Sequence, residues 1–239
     1  MNFKHNEKDG EDLPNYDVSV LRQGSQTNQL YQTQKRRQQI TKQIKYMTDQ
    51  CIKFIETDSH LQLAQFLEKQ SKTSEDFQGD MGIGQSNQAD YPSKIRIKDL
   101  VDHEGFTLLH MAVFKNKTNC FLELMKIASR EMENQETTRW INMQTQKDKF
   151  AAIHYASFRG NIEMCQVLLD NGANMHLQNQ YGLNVMHIAA QGDQPISLYF
   201  FKQQGMHLCS KDKRGSTPLH WACYQGSEVA LIYLLGWLK

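Results

Sequence analysis

Apolar and polar residues follow a helical period in one stretch near the start of the chain. From Ile40 to Ile55, apolar side chains recur at steps of four, three, four and four, which predicts an amphipathic helix. A second apolar set between Leu61 and Leu67 follows a polar break at residues 57–59 and predicts a short helix. The pattern therefore indicates a pair of helices within residues 35–70.

Two segments beside these helices lack such a period. Residues 1–34 are polar and rich in Asn, Gln and Asp, and residues 71–94 are rich in Ser, Gln, Gly and Asp. A segment that can bury few apolar side chains does not offset the entropy it would lose on folding. We therefore expect a disordered tail over residues 1–34 and a flexible linker over residues 71–94.

From residue 95 onward one arrangement recurs, and it is marked by a histidine. The four copies lie 44, 33 and 33 residues apart, and an alanine stands two places after each. Three of the four copies have a glycine five places before the histidine, where a tight turn needs a positive φ. In the last copy Thr217 can cap a helix whose first position is Pro218. The marker histidines are His110, His154, His187 and His220.

The 33-residue period and the motif Thr217-Pro218-Leu219-His220-x-Ala222 resemble ankyrin repeats, each a turn followed by two antiparallel helices. The resemblance implies an all-α solenoid of about four repeats over residues 95–239, with residues 35–70 as its N-terminal cap. The first interval is eleven residues longer, which places an insertion around Ser129–Thr138. The insertion could be a functional surface loop or a longer second helix with a solvated end.

The last predicted helix, from Val229 to Leu238, is apolar nearly all round. Terminal repeats usually present a polar outer face, and an apolar helix is normally buried. We therefore expect that the natural protein continues beyond Lys239 or that a partner covers this end.

Composition and charge bear on the partners and the cellular compartment that we expect. The formal charge is +1, from 27 basic and 26 acidic residues, so we expect no nucleic-acid partner. Lys35-Arg36-Arg37 could be a nuclear signal or contact anionic lipid, although a solvated helix face explains it more simply. Five cysteines at irregular spacing do not suggest a disulfide framework. No leader or membrane span is evident, and we expect a cytoplasmic protein.

No arrangement of residues typical of catalysis is evident. The sequence lacks a nucleophile–histidine pair at a known spacing, a phosphate-binding glycine loop and a zinc-protease motif. The repeat histidines stand one repeat apart, whereas zinc ligands converge at short spacings. We expect each imidazole to bond the backbone of a neighbouring turn, and we expect no catalytic residue, metal or cofactor in this chain.

Protein binding is the better-supported function, and two surfaces are candidates. The first is a strip at the end of the inner helices, at four and five places after the repeat histidines; these residues could instead pack against the next repeat. Aromatic and arginine side chains carry much of the energy of protein interfaces. The strip comprises Phe114, Lys115, Phe158, Arg159, Gln191, Tyr224 and Gln225. The second surface lies on the turns that precede the inner helices and includes Lys147, Tyr181, Lys213 and Arg214.

The third and fourth repeats carry a further resemblance. The runs Asn184–Phe201 and Asp212–Glu228 resemble the repeats of ankyrin-repeat DHHC-type protein S-acyltransferases, or palmitoyltransferases. In that family the repeats recruit substrate proteins on the cytosolic face of a membrane, and a separate Asp-His-His-Cys domain transfers the acyl group. This chain contains no such motif, so the resemblance implies a recruiting region without chemistry of its own. A free-standing cytosolic scaffold that binds a protein or peptide through its concave face is the alternative.

Overall fold

A computed structural model describes residues 18–76 and 95–237, with side chains given from residue 31 onward and not for residues 71–76. Over these residues the protein is all-helical, and the only strand-like pairings are two isolated bridges at turns. A short 3-10 turn spans Ile97–Asp99. The α-helices are α1 Val18–Glu56, α2 His60–Asp76, α3 Leu108–Phe114, α4 Thr118–Glu131, α5 Asn134–Ile141, α6 Ala152–Arg159, α7 Ile162–Asp170, α8 Val185–Gln191, α9 Pro195–Gln203, α10 Pro218–Gln225 and α11 Glu228–Trp237.

The chain divides into two compact units, and the boundary lies within α1 after Lys42. In the first unit, the side chains described from Tyr31 to Lys42 are almost all exposed. The helix begins at Val18 and so extends well into the predicted tail, where residues 18–34 include five glutamines, a residue type that favours helices. Residues 1–17 and 77–94, which include parts of the predicted tail and linker, lie outside the described residues.

In the second unit, the last turns of α1 and all of α2 lie beside the first helix pair. The predicted apolar stripe of α1 is buried there at Met47, Cys51 and Ile55. The helix α2 packs on α4, and the thiol of Cys120 lies 3.6 Å from the carboxylate of Asp58 between α1 and α2. These helices therefore cover one side of α4, as a terminal element of a repeat array does.

Four helix pairs follow with the predicted period: α3–α4, α6–α7, α8–α9 and α10–α11, which we number as repeats one to four. The inner helices α3, α6, α8 and α10 pack on one another in chain order. Each begins after a turn loop, and these turn loops span residues 102–107, 145–151, 179–184 and 212–217. A residue at the N-cap bonds the marker histidine, as Thr107 Oγ1 does with His110 Nδ1 at 2.8 Å. The fold class is therefore the all-α repeat array that the period predicted.

The insertion is helical and partly buried, so of the two alternatives the surface loop is wrong, and the longer second helix describes α4 but does not include the additional helix α5. The outer helix α4 has 14 residues, against nine in α7, and the additional helix α5 follows it. Trp140 of α5 is 2% exposed, since its indole fills space beside the core. One turn earlier in α5, Glu136 forms ion pairs with Arg96 and Lys98. The Lys98 hydrogen bond holds the pKa of Glu136 below its usual range.

Candidate protein-binding surface

The residues of the predicted strip occupy equivalent positions near the ends of the inner helices. Phe114, Phe158 and Tyr224 lie in the last turns of α3, α6 and α10, and their side chains are 40%, 42% and 81% exposed. Gln191, the equivalent residue of α8, is half-buried. The three rings are therefore accessible from the inner surface and are not core residues.

In the first two repeats the aromatic rings contact one another. Tyr155 lies at the centre: its ring centroid is 5.8 Å from that of Phe106, 5.5 Å from Phe114 and 5.4 Å from Phe150. Burial raises the pKa of the Tyr155 phenol, and nearby carboxylates raise it further. We call Phe106, Phe114, Phe150 and Tyr155 the aromatic cluster. The faces and edges of its rings pack against one another.

The cationic side chains of the first two repeats also form contacts within the protein. The guanidinium of Arg159 lies 5.5 Å from the ring centroid of Phe114, and Arg159 Nε donates a hydrogen bond to the Phe114 carbonyl at 3.0 Å. Lys115 Nζ lies 3.1 Å from a carboxylate oxygen of Glu56 on α1. Arg159 and Lys115 therefore serve contacts within the protein.

The turn loops of repeats three and four enclose a groove of about 250 Å³. Its walls include the exposed ring of Tyr181 and the half-buried indole of Trp221. Trp221 also meets Tyr224 edge to face at 5.8 Å between ring centroids, so the predicted strip and turn-loop surfaces join in the fourth repeat. We call this site the aromatic groove; it is lined by Gln180, Tyr181, Asp212, Lys213, Arg214 and Trp221.

Asp212 organises one wall of the aromatic groove. Its carboxylate accepts hydrogen bonds from the backbone N–H groups of Arg214 and Ser216 and from Trp221 Nε1 at 2.9 Å. Burial would raise the pKa of Asp212, but these hydrogen bonds more than offset burial and lower it. The carboxylate is thus ionised at neutral pH, and its oxygens accept hydrogen bonds from groups within the protein.

The cations at the aromatic groove remain available. Lys213 Nζ donates one hydrogen bond, to the carbonyl of Gln180 at 2.7 Å, and keeps two further N–H donors. Within the described residues, the guanidinium of Arg214 forms no ion pair and no hydrogen bond, and the residue is exposed. The site therefore combines open aromatic faces with unneutralised positive charge.

The structure groups the predicted residues differently from the sequence. Tyr181, Lys213 and Arg214 meet in the aromatic groove, whereas Lys147, Phe158 and Gln225 are exposed without joining either ring group. Sequence reasoning missed Tyr155 and Trp221, which both follow a repeat histidine by one place. The position directly after the repeat histidine was a usable signal, because it belongs to the inner helix and recurs with the repeat period.

The repeat histidines stabilise the fold. His154 Nε2 lies 3.0 Å from the Leu177 carbonyl, and His187 Nε2 lies 3.2 Å from the Ser216 carbonyl, in each case in the next repeat. The predicted bond to a neighbouring turn is confirmed for these two. His110 differs, because its Nε2 is buried without a partner among the described residues. Burial lowers the pKa of His110 and of His154 to about 4.

Neither a metal site nor a membrane span is found in the described ranges. No group of three or more His, Cys, Asp and Glu side chains there could hold a metal ion. Among residues 18–76 and 95–237, no helix is both long and apolar enough to cross a bilayer.

A turn loop, paired helices and a 33-residue period define an ankyrin-repeat protein. The sequence matches the family described as "Ankyrin repeats (3 copies)" over residues 87–179 and again over residues 153–237. These matches together span more than half of the chain, and the chain belongs to the ankyrin-repeat family. Proteins of this family are protein–protein interaction modules.

The individual relatives are proteins of different kinds. "Ankyrin repeat protein nuc-2" of Neurospora crassa is 29% identical over 139 residues, which cover 57% of this chain and 12% of that protein. "Palmitoyltransferase AKR1" of Lachancea kluyveri is 24% identical over 141 residues, 57% of this chain and 18% of the relative. "Calmodulin-binding transcription activator 6" of Arabidopsis thaliana is 38% identical over 64 residues, 27% of this chain and 8% of the relative. The chain thus spans less than a fifth of the length of each.

Proposed function

We propose that the aromatic groove binds an extended segment of a partner protein and that this protein recruits the partner in this way. The observation that carries the proposal is the combination found there: the exposed ring of Tyr181 and the half-buried indole of Trp221 beside the free guanidinium of Arg214. Aromatic and arginine side chains in a partly enclosed pocket are the features of interface hot spots.

The chemistry of the groove favours one kind of segment. An apolar or aromatic side chain of the partner would lie against Tyr181 and Trp221, where it gains contact area at little entropic cost. Carboxylates of the partner would meet Arg214 and Lys213, since the Asp212 carboxylate is already satisfied within its own turn loop. The preferred ligand is thus a linear segment with an apolar anchor and nearby acidic residues.

The predicted residues of repeats one and two have a smaller part in this function. Phe114 and Arg159 bond each other, and Lys115 is paired with Glu56. Recruiting these side chains to a partner would first break those contacts. Gln191, Tyr224 and Gln225 belong to the repeats that form the groove, and Tyr224 contacts Trp221, so these three residues would extend the contact with a longer segment; Phe158 lies one repeat earlier on the same strip.

At a finer level, we propose that the chain is the cytosolic substrate-recruiting region of a membrane-bound protein S-acyltransferase. Two observations support this: the resemblance of the third and fourth repeats to that family, and the similarity to a relative named as a palmitoyltransferase. In this proposal the chain itself performs no chemistry. It holds substrate proteins near an acyl-transferring domain.

A free-standing scaffold is the second candidate. It is supported by the similarity to ankyrin proteins of other kinds, such as "SH3 and multiple ankyrin repeat domains protein 2" of Homo sapiens, 31% identical over 90 residues. Both candidates use the same groove. Membrane fractionation of the full natural gene product separates them, because an acyltransferase sediments with membranes and a scaffold of this kind stays in the supernatant.

The groove is tested with a displayed library of random linear peptides selected on the wild-type chain. We expect the enriched peptides to share an apolar anchor flanked by Asp or Glu. Tyr181→Ala and Arg214→Glu should each weaken their binding by about tenfold or more, the effect of removing a hot-spot residue.

Matched variants in the other surface serve as controls. Phe114→Ala removes an equivalent exposed ring, and Lys147→Glu reverses an exposed cation on another turn loop. Both should leave peptide binding within about twofold, since charges and rings outside the contact contribute little. If the selected peptides lose affinity for Phe114→Ala and keep it for Tyr181→Ala, the binding surface is the inner strip and the groove proposal is wrong.

A further inference from the structure

The aromatic groove brings two aromatic and two cationic side chains together in one small site. Its volume of about 250 Å³ is below the range of about 300–1,000 Å³ that is typical of pockets for drug-sized molecules. A site of this size has room for one side chain of a bound segment rather than for two separate anchors. The aromatic walls and the cations should therefore contact the same side chain of the ligand.

One aromatic wall and both cationic residues are held in place by hydrogen bonds. Asp212 accepts a hydrogen bond from Trp221 Nε1 at 2.9 Å, which fixes the indole. Lys213 Nζ lies 2.7 Å from the carbonyl of Gln180, and the backbone N–H of Arg214 donates to Asp212 at 2.9 Å. Because these groups are positioned before binding, a matching ligand loses little free energy in ordering them.

The groove offers more free hydrogen-bond donors than free acceptors. Lys213 keeps two N–H groups, and within the described residues neither the guanidinium of Arg214 nor the hydroxyl of Tyr181 has a hydrogen-bond partner. The carbonyls of Gln180 and Tyr181 already accept hydrogen bonds from Lys213. Among the described lining residues Asp212 alone is acidic, and it is 8% exposed. The ligand side chain should thus carry an anionic group with several acceptor oxygens.

The equivalent places between the other described turn loops differ in both features. Between the first and second turn loops, the ring of Tyr155 is packed in the aromatic cluster, and the exposed Glu104 brings the opposite charge. Between the second and third, the residue after the histidine is Ile188, which is 2% exposed, and Asp148 accepts a hydrogen bond from Gln180 Nε2 at 2.7 Å. The chemistry of the groove is therefore specific to the third and fourth turn loops and does not follow from the repeat framework.

We propose that the aromatic groove is a phosphotyrosine site, so that a partner segment binds there when one of its tyrosines is phosphorylated. This side chain joins an aromatic ring to a phosphate with three acceptor oxygens and nearly two negative charges. Its ring would lie against Tyr181 and Trp221, and its phosphate would meet Arg214 and Lys213. Hydrogen bonds between such charged groups are about twice as strong as neutral ones. The inference rests on the proposed function of the groove and adds a switch to it.

The experiment begins with a degenerate peptide library that has one central phosphotyrosine and is selected on the immobilised wild-type chain. Isothermal titration calorimetry then measures each enriched peptide in four forms that differ only at the central residue: phosphotyrosine, tyrosine, phosphoserine and glutamate. We expect the phosphotyrosine form to bind about tenfold or more tightly than each of the others, because only this form uses both the aromatic walls and the cations.

Variants of the chain assign the two parts of the ligand side chain. Arg214→Gln should weaken the phosphotyrosine form about fivefold or more relative to the tyrosine form, since the lost contact is with the phosphate. Tyr181→Ser should remove the preference for phosphotyrosine over phosphoserine, because one aromatic wall is lost. Lys147→Gln is the matched control, at the position of the second turn loop that is equivalent to Lys213, and it should leave both forms within about twofold.

The failure of this inference is distinguishable from the failure of the proposed function. Equal affinity of the phosphotyrosine and tyrosine forms would overturn the phosphotyrosine site and leave the groove as a site for acidic segments. Equal affinity of the phosphotyrosine and phosphoserine forms would also overturn it, since the aromatic walls would then have no part. A selection that enriches no phosphotyrosine peptide dependent on Tyr181 has the same consequence. The proposed function itself fails only if the peptides from the random library keep their affinity for Tyr181→Ala and Arg214→Glu.

Discussion

The first two repeats and the last two repeats use their aromatic residues in opposite ways. In repeats one and two, Tyr155 contacts three phenylalanine rings and Arg159 stacks on Phe114. In repeats three and four, Tyr181, Trp221 and Tyr224 leave ring surface open beside the free cation of Arg214. Similar side chains on one repeat framework thus stabilise the array at one end and are available to a partner at the other.

The first prediction concerns acid and has the largest expected effect. His110 and His154 have pKa values of about 4 in the folded protein, below the usual 6.5, so the unfolded chain takes up protons first as the pH falls. Stability is therefore complete above pH 6.5 and declines toward pH 4. Between pH 7 and pH 5 each buried histidine should cost about 2 kcal/mol of unfolding free energy, measured by urea denaturation.

Two substitutions decide whether the buried histidines cause this decline. His154→Gln should lower stability at pH 7, because the bond to Leu177 is weakened, and should remove about 2 kcal/mol of the loss between pH 7 and pH 5. His220→Gln, at the exposed equivalent position, should leave the pH dependence unchanged. An equal effect of both substitutions would show that burial of the histidine does not cause the decline.

The second prediction compares the two kinds of ring. Tyr155→Ala removes the centre of the aromatic cluster and should lower the unfolding free energy by about 3 kcal/mol. Tyr224→Ala removes a ring that is 81% exposed and should change it by no more than about 0.5 kcal/mol. Urea denaturation at pH 7 measures both, and a large loss for Tyr224→Ala would show that the second ring is also structural.

The third prediction uses two equivalent glycines that end outer helices. Both have positive φ, +87° at Gly172 and +95° at Gly205, so alanine strains the backbone at either position by about 1 kcal/mol. Only at Gly172 would the new Cβ meet another side chain, with Thr138 Oγ1 of α5 at 2.9 Å. Gly172→Ala should therefore cost about 1 kcal/mol more than Gly205→Ala.

The clash with the insertion helix can be removed. In a Thr138→Ala background the hydroxyl and methyl groups nearest to the new Cβ are gone, and the costs of the two glycine substitutions should converge. Persistence of the difference would locate its cause outside α5.

Much of the fold could be predicted from the sequence, because each repeat carries its own local signals. A glycine or another turn residue, an N-cap and a histidine recur with one period, so the helix pairs follow from short-range rules. The separate helix α5 within the insertion could not be predicted, because it is held by the burial of Trp140 and by the ion pairs of Glu136 with Arg96 and Lys98, which are distant in sequence.

The candidate site was predicted less well for the same reason. Tyr181, Lys213 and Arg214 were selected from their place in the turns. The place of Trp221 directly after a repeat histidine could have marked that residue, but it does not show that the indole completes the groove or that Asp212 fixes it. Nor could spacing separate free cations from paired ones. The pairing of Arg159 with Phe114 crosses 45 residues, and that of Lys115 with Glu56 joins different helices.

The most direct test of a binding surface confined to the last two repeats uses the three tryptophan indole N–H signals in a ¹⁵N–¹H correlation spectrum. Trp140 reports on the insertion, Trp221 on the aromatic groove and Trp237 on the outer helix α11. On titration with a peptide selected from the displayed library, we expect the Trp221 signal to shift with saturation and the Trp140 and Trp237 signals to stay in place. Saturable binding that leaves the Trp221 signal unmoved would contradict the account.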